Sequence, residues 1–221
     1  MIMTKPTIAK FLQCGASALA IGFLFLGSHA LAGEKNTLSD EEKKEGFKLI
    51  FNGMDLDGWK VAENPDSFKV IDGDLATVGP RAHAFYMGKK LQDFELRSKV
   101  WFGKNSNGGI YFHATYKERG WPLDSGYEAQ IASDDYKDHR KTGSIYRHHD
   151  LKKSPVGPNE WFDYRIVVKG RNIQTFINGK PAGKYTDSES KPRLTGGHIA
   201  LQCHDPKSKV KWHTIRVKEL Q

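Results

Sequence analysis

Cysteine is nearly missing from this chain: only Cys14 and Cys203 occur in 221 residues. Cys14 falls inside an apolar N-terminal run, so Cys203 stands alone in the rest. No intramolecular disulfide can brace the fold there, and a packed core has to hold it. Cys203 lies between Gln202 and His204, and strand alternation turns it away from both, as a small buried hydrophobe. Helical periodicity is almost absent after residue 45, which excludes a helix bundle or an α/β fold. No Cys-x-x-Cys or His-x-His spacing occurs to build a metal site locally. No helix follows Gly108-Gly109, so the pair is no phosphate loop and reads as part of a turn. The formal charge is +8, yet the basic residues are interspersed with acids. No aromatic–basic cluster forms, so a nucleic-acid partner is not expected.

What is present begins with a leader. Lys5 and Lys10 precede an apolar run from Phe11 to Leu26, and Ala30-Leu-Ala32 supplies small residues for cleavage. This is the layout of a secretory signal peptide over residues 1–32; the run is short for a membrane span. Export to the periplasm or beyond is the expectation, with no membrane association once the leader is gone. The remaining 189 residues (221 minus 32) carry about +6, since the leader removes Lys5 and Lys10 alone among the charges. They suffice for one well-buried domain. Residues 33–45 read as a polar linker with one short helix, because Ser39 and Glu42 fit a capping box. The domain itself runs from 46 to 221.

Strand signals fill that domain. Phe47–Phe51, Trp59–Val61, Phe68–Ile71, Leu75–Val78 and Phe85–Met87 are short extended pieces, with Asp72-Gly73-Asp74 as a hairpin turn. Phe94–Phe102 alternates apolar with polar or aromatic residues, and Ile110–Thr115 and Tyr127–Ile131 follow it. Gly143–Tyr146, Trp161–Lys169 and an Asn178-Gly179 hairpin joining Ile173–Ile177 to Pro181–Tyr185 come next. His198–His204 and Lys211–Leu220 close the chain. Many short strands between Gly, Asn and Asp turns predict an all-β sandwich of two antiparallel sheets.

The chemistry concentrates between Phe94 and Ala132. Parity places Glu128 and Gln130 on one face of their strand, and Tyr127, Ala129 and Ile131 on the other. With His113 at the end of the preceding strand, this is a candidate polar, sugar-sized site. Trp121, Tyr127 and Tyr146 can stack on a sugar ring. Paired carboxyls, as an ordinary glycosidase requires, are not evident: Asp124 is the nearest acid on the N-terminal side. His204-Asp205 closes the penultimate strand, and His, carboxylate and amide groups assembled at long range can move a proton or hold a divalent metal.

The succession of motifs resembles the 3-keto-disaccharide hydrolase domain family. It runs through Gly46-Phe-Lys-Leu-Ile-Phe-Asn-Gly with Trp59, Asp93-Phe-Glu-Leu, Asn107-Gly-Gly-Ile-Tyr-Phe-His113, Gly126-Tyr-Glu-Ala-Gln130 and Lys141-Thr-Gly-Ser-Ile-Tyr146. It continues through Asn159-Glu-Trp-Phe162, Asn178-Gly-Lys180, Leu201-Gln-Cys-His-Asp205 and Ile215-Arg-Val-Lys218. The resemblance implies a concanavalin A-like jelly roll and a role in cleaving glycosides whose sugar is oxidised at carbon 3. A C3 ketone acidifies the C2 proton, so one base can start an elimination that expels the aglycone. Such a site needs a base, an enolate stabiliser (a metal or hydrogen-bond donors) and a proton donor. Glu128, His113 and His204 are the candidates for the catalytic roles, with Gln130, Gln202 and Asp205 orienting. His113 or His204 is expected to approach Glu128. A non-catalytic carbohydrate-binding module on the same fold is the alternative.

Overall fold

Alternation in Phe94–Phe102 and Trp161–Lys169 becomes an inter-sheet core in the structure, a computed structural model that describes residues 1–2, 36–188 and 195–221. Apart from Met1 and Ile2, the leader expected over residues 1–32 lies outside the described residues. Among the described residues no helix is long and apolar enough to cross a membrane.

One short helix, α1 (Asp40–Lys44), precedes the strands. They are β1 (Lys48–Leu49), β2 (Trp59–Ala62), β3 (Phe68–Ile71), β4 (Asp74–Thr77), β5 (Ala82–Tyr86), β6 (Phe94–Phe102) and β7 (Asn107–Ala114). Then come β8 (Tyr127–Ala132), β9 (Trp161–Lys169), β10 (Asn172–Ile177), β11 (Lys180–Thr186), β12 (His198–Cys203) and β13 (Val210–Glu219). One sheet has the order β11-β10-β9-β6-β13-β4-β3, with β1 also on β13; the other has the order β2-β5-β12-β7-β8. Every pairing is antiparallel. The two-sheet all-β sandwich expected from alternation and turn chemistry is the observed fold.

The facing sides bury Phe94, Leu96, Val100 and Phe102 of β6 against Ile110 and Phe112 of β7 and Tyr127, Ala129 and Ile131 of β8. Cys203 joins this core, where burial pushes its thiol up to about 11. The hairpin tips are those expected: Asp72-Gly73 and Asn178-Gly179 both adopt positive φ, which Asn, Asp and Gly tolerate. Gly143–Tyr146, expected to be extended, forms only isolated bridges, Ile145 with Ala129 and with His149. The helix has both arms of the capping box, Glu42 N–H donating to Ser39 Oγ (3.1 Å) and Ser39 N–H to Glu42 Oε2 (3.2 Å). It does more than link: Glu45 pairs with Lys218 at 2.8 Å and Arg97 at 3.3 Å, clipping the helix to the outer face of the larger sheet.

Candidate active site

The outer face of the five-stranded sheet carries the cavity. It encloses about 240 Å³ and is lined by Arg81, Asn107, Trp121, Glu128, Gln130, Asp138, Tyr146, Gln202 and His204. The parity argument for Glu128 and Gln130 holds, since both line the cavity while Tyr127, Ala129 and Ile131 enter the core. Gly108 and Gly109, read above as turn residues, lie inside β7. A Cβ at Gly109 would collide with Glu128 Oε1, so the glycine makes room for that carboxyl where it lies. A strand glycine marks a close approach, here of a catalytic-type carboxyl over the sheet.

Glu128 is only 2% exposed. Burial raises its carboxyl to about 8, and the Asp138 charge adds to the rise. The Tyr111 hydroxyl and the charges of Arg147 and Arg140 oppose it. Tyr111, paired directly with Glu128 across β7 and β8, forms the floor. Its hydroxyl accepts hydrogen bonds from Trp121 Nε1 (2.9 Å) and Gln202 Nε2 (2.5 Å) and donates its own proton to Glu128. Burial keeps that phenol well above its usual range, hence uncharged. The carboxamide oxygens of Asn107, Gln130 and Gln202 are buried without a partner among the described residues. Buried polar atoms are normally satisfied, so three such oxygens around one cavity fit a ligand rich in hydroxyls.

His204 stands at another wall. Its Nδ1 faces Asp205 Oδ2 at 2.9 Å and the Tyr136 hydroxyl at 3.1 Å. Although burial alone would raise it, the Asp205 carboxyl is held at about 2 by hydrogen bonds from His204, Ser208 and the backbone of Lys207 and Ser208. An ionised carboxylate at Nδ1 keeps the proton there and leaves the Nε2 lone pair free as a base. Trp121 and Tyr146 meet edge to face at 6.0 Å, and the Arg147 guanidinium lies 5.0 Å above Trp121. Together they make an aromatic rim.

Two expected residues are elsewhere. His113 is buried among Phe94, Phe112 and Tyr127, with Nε2 2.7 Å from the Gln92 carbonyl. The cause is a bulge: β12 pairs Ala200 with Tyr111 and then His198 with Ala114, so Phe112 and His113 together oppose one residue. The extra residue takes φ of 55°, which resets the alternation and turns His113 away from the Glu128 face. Tyr127 belongs to the core by its parity, and its hydroxyl bonds Asp187. Asp205 reaches the cavity only through His204.

Several residues were not anticipated: Tyr111, Asn107, Arg81, Asp138 and His83. His83 pairs with Gln202 across β5 and β12 and meets Tyr111 edge-on at 5.6 Å. Burial, helped by the charges of Arg81 and His204, lowers it to about 3, so it is a neutral floor group. Its Nδ1 faces Glu63, a residue at φ of 73° whose carboxylate also binds Arg81 at 3.1 Å. A non-glycine residue at positive φ beside a cleft is a common mark of a functional site. Among the described residues no three His, Cys, Asp or Glu side chains are placed to hold a metal ion.

Similarity to known proteins agrees with this geometry. A candidate glycosyl hydrolase from Parabacteroides distasonis superposes with a TM-score of 0.74 at 24% identity, over 85% of this chain and 100% of its own. A second from the same organism gives 0.66 at 23%, over 79% and 99%. The carbohydrate-binding module CBM66 of Bacillus subtilis gives 0.55 at 13%, over 73% and 96%. At these identities the likeness is one of fold, a lectin-like jelly roll. No curated protein matches the chain in sequence. Residues 46–218 match the 3-keto-alpha-glucoside-1,2-lyase-like domain, and the chain belongs to that carbohydrate-active family.

Proposed function

We propose that this protein is an exported enzyme that cleaves glycosides oxidised at C3 of the sugar, by elimination across C1 and C2. One observation carries the reading: a buried carboxyl raised to about 8, Glu128, shares a small polar cavity with an oriented histidine, His204. The two groups suit opposite halves of the reaction. His204 Nε2 removes the proton from C2, and its electron pair forms the enolate with the C3 carbonyl. The enolate then expels the C1 oxygen, which takes the proton of Glu128 as it leaves. The products are the free aglycone and an enone sugar, with His204 protonated and Glu128 ionised. Addition of water at C1, with both proton transfers reversed, restores the two residues and completes a net hydrolysis. The Arg81 guanidinium at the cavity wall supplies donors for the enolate oxygen, an electrostatic role of the oxyanion-hole type, while the unpartnered carboxamide oxygens accept from sugar hydroxyls. A second concavity of about 540 Å³, lined by Tyr136, Pro206 and Lys207 and sharing His204, has room for the aglycone.

Asp138 supports a second reading. It gives the cavity a second carboxyl beside Glu128, which is the minimum set for ordinary glycoside hydrolysis. A third reading, a binding module without turnover, draws support from the Trp121–Tyr146 rim but leaves a buried protonated carboxyl without a task. Incubation with a nitrophenyl glucoside and its 3-keto derivative separates the three. Nitrophenol from the ketone alone supports elimination, nitrophenol from the unoxidised sugar supports ordinary hydrolysis, and binding without release supports a module. Export is tested by N-terminal sequencing from the native host, with Gly33 expected first and an intact Met1 in the cytoplasm as the refuting result.

A further inference from the structure

Loop 133–140 supplies Tyr136 to His204, Asp138 to the cavity and Arg140 to the face of Tyr146, 4.6 Å from its ring centre. It contains no regular structure, and its sequence, Ser-Asp-Asp-Tyr-Lys-Asp-His-Arg, offers no apolar anchor beyond Tyr136. At its centre is the side chain of Lys141, only 5% exposed. Nζ donates to the backbone carbonyls of Ser133 (3.1 Å), Tyr136 (2.7 Å) and Asp138 (2.5 Å). An ammonium has three donors and no acceptor, and here each donor has a carbonyl. Three carbonyl dipoles pointed at one spot repel one another unless a positive charge occupies it. Buried carbonyls left without a donor are costly as well. Lysine seldom lies this deep, since its charge loses hydration unless fully hydrogen-bonded. The arrangement has the form of a cation bound by a ring of main-chain oxygens, with the cation carried by the chain itself.

We propose that the Lys141 ammonium is the internal cation around which loop 133–140 is wrapped, and the positioning group that sets Tyr136, Asp138 and Arg140 at the cavity. Lys141 touches no substrate; it acts through the loop. The inference rests on the proposed function only in taking this cavity as the working site, and its test does not use turnover. A charge-free side chain of similar length leaves a hole ringed by carbonyls, which a small external cation can fill. Hydrogen exchange by mass spectrometry is measured on the wild type and on Lys141→Met, with and without methylammonium or potassium. In the variant, peptides covering 133–140 are expected to exchange faster by about tenfold or more, while β6, β9 and β12 keep their protection. Methylammonium or potassium is expected to return the loop toward its wild-type rate. Unchanged exchange in the variant, or a faster exchange that neither cation reverses, overturns the proposal. If Lys141→Met does not fold, the wild type decides by NMR of its lysine ammonium groups. A slowly exchanging ammonium assigned to Lys141, coupled to the carbonyl carbons of residues 133, 136 and 138, is expected. Exchange as fast as that of surface lysines overturns the proposal.

Discussion

Replacing Glu128 by Gln should change how stability depends on pH, and the size of the change follows from burial. Glu128 titrates at about 8 in the folded chain against 4.5 for an ordinary glutamate, chiefly because it is desolvated. Below pH 4.5 the group is protonated in both folded and unfolded chains and contributes no pH dependence. Between 4.5 and about 8 the folded chain retains a proton that the unfolded chain has lost, so stability falls as pH rises. Each pH unit in that window is worth about 1.36 kcal/mol, which places the full penalty on the order of 5 kcal/mol. A typical domain has only about 5–15 kcal/mol in total, so the effect is measurable. Glutamine has nearly the same shape, can still accept from Tyr111, and does not titrate. Urea unfolding of both proteins at a series of pH values should show the wild type losing ground to Glu128→Gln from pH 4.5 up to about 8, and no further above it. Parallel stability curves would mean that Glu128 is ionised throughout. It would then have no proton to give a leaving group near neutral pH.

The same titration predicts that aglycone release from a 3-keto-glycoside declines as pH passes about 8, where Glu128 loses its proton; a rate that keeps rising through that region would contradict this. His204→Asn should lower that release by about 10²–10⁴-fold while leaving the melting temperature nearly unchanged, as the loss of a positioned base does. Asp138→Asn removes a charge that raises Glu128, so the alkaline decline should move to lower pH while turnover of the ketone persists; complete loss would favour ordinary hydrolysis. His113→Leu strands the Gln92 carbonyl and should cost about 1–3 kcal/mol of stability without altering the rate per folded molecule, measured by urea unfolding and kinetics together.

The fold was legible because one signal repeats over the whole domain. Phe94–Phe102 and Trp161–Lys169 emerge with the bounds that alternation gave them, and Asn178-Gly179 is a hairpin tip for the reason its chemistry suggests. Glu128 and Gln130 were placed on the right face by parity alone. Parity failed at His113, where a positive-φ bulge carries no glycine to announce it. Its traces are Gly126 and Gly197, since a Cβ at either would meet the backbone around His113. The rest of the cavity comes from loops and from strands distant in sequence. Arg81 and Asp138 have no periodicity that points to a sheet face, and the carbonyl ring around Lys141 exists only after the loop has closed. Asn107 and Tyr111 were within reach. Gly109, opposite Gln130 and diagonal to Glu128, leaves room for the carboxyl to lie over β7, and their odd-numbered positions share its face.

The central claim, that the sugar loses its C2 proton before the aglycone departs, is tested most directly with a nitrophenyl 3-keto-glucoside carrying deuterium at C2. The account predicts that nitrophenol appears more slowly than from the undeuterated compound and that the unoxidised glucoside is inert. Equal rates from the deuterated and undeuterated ketones, or equal cleavage of the unoxidised sugar, would contradict it.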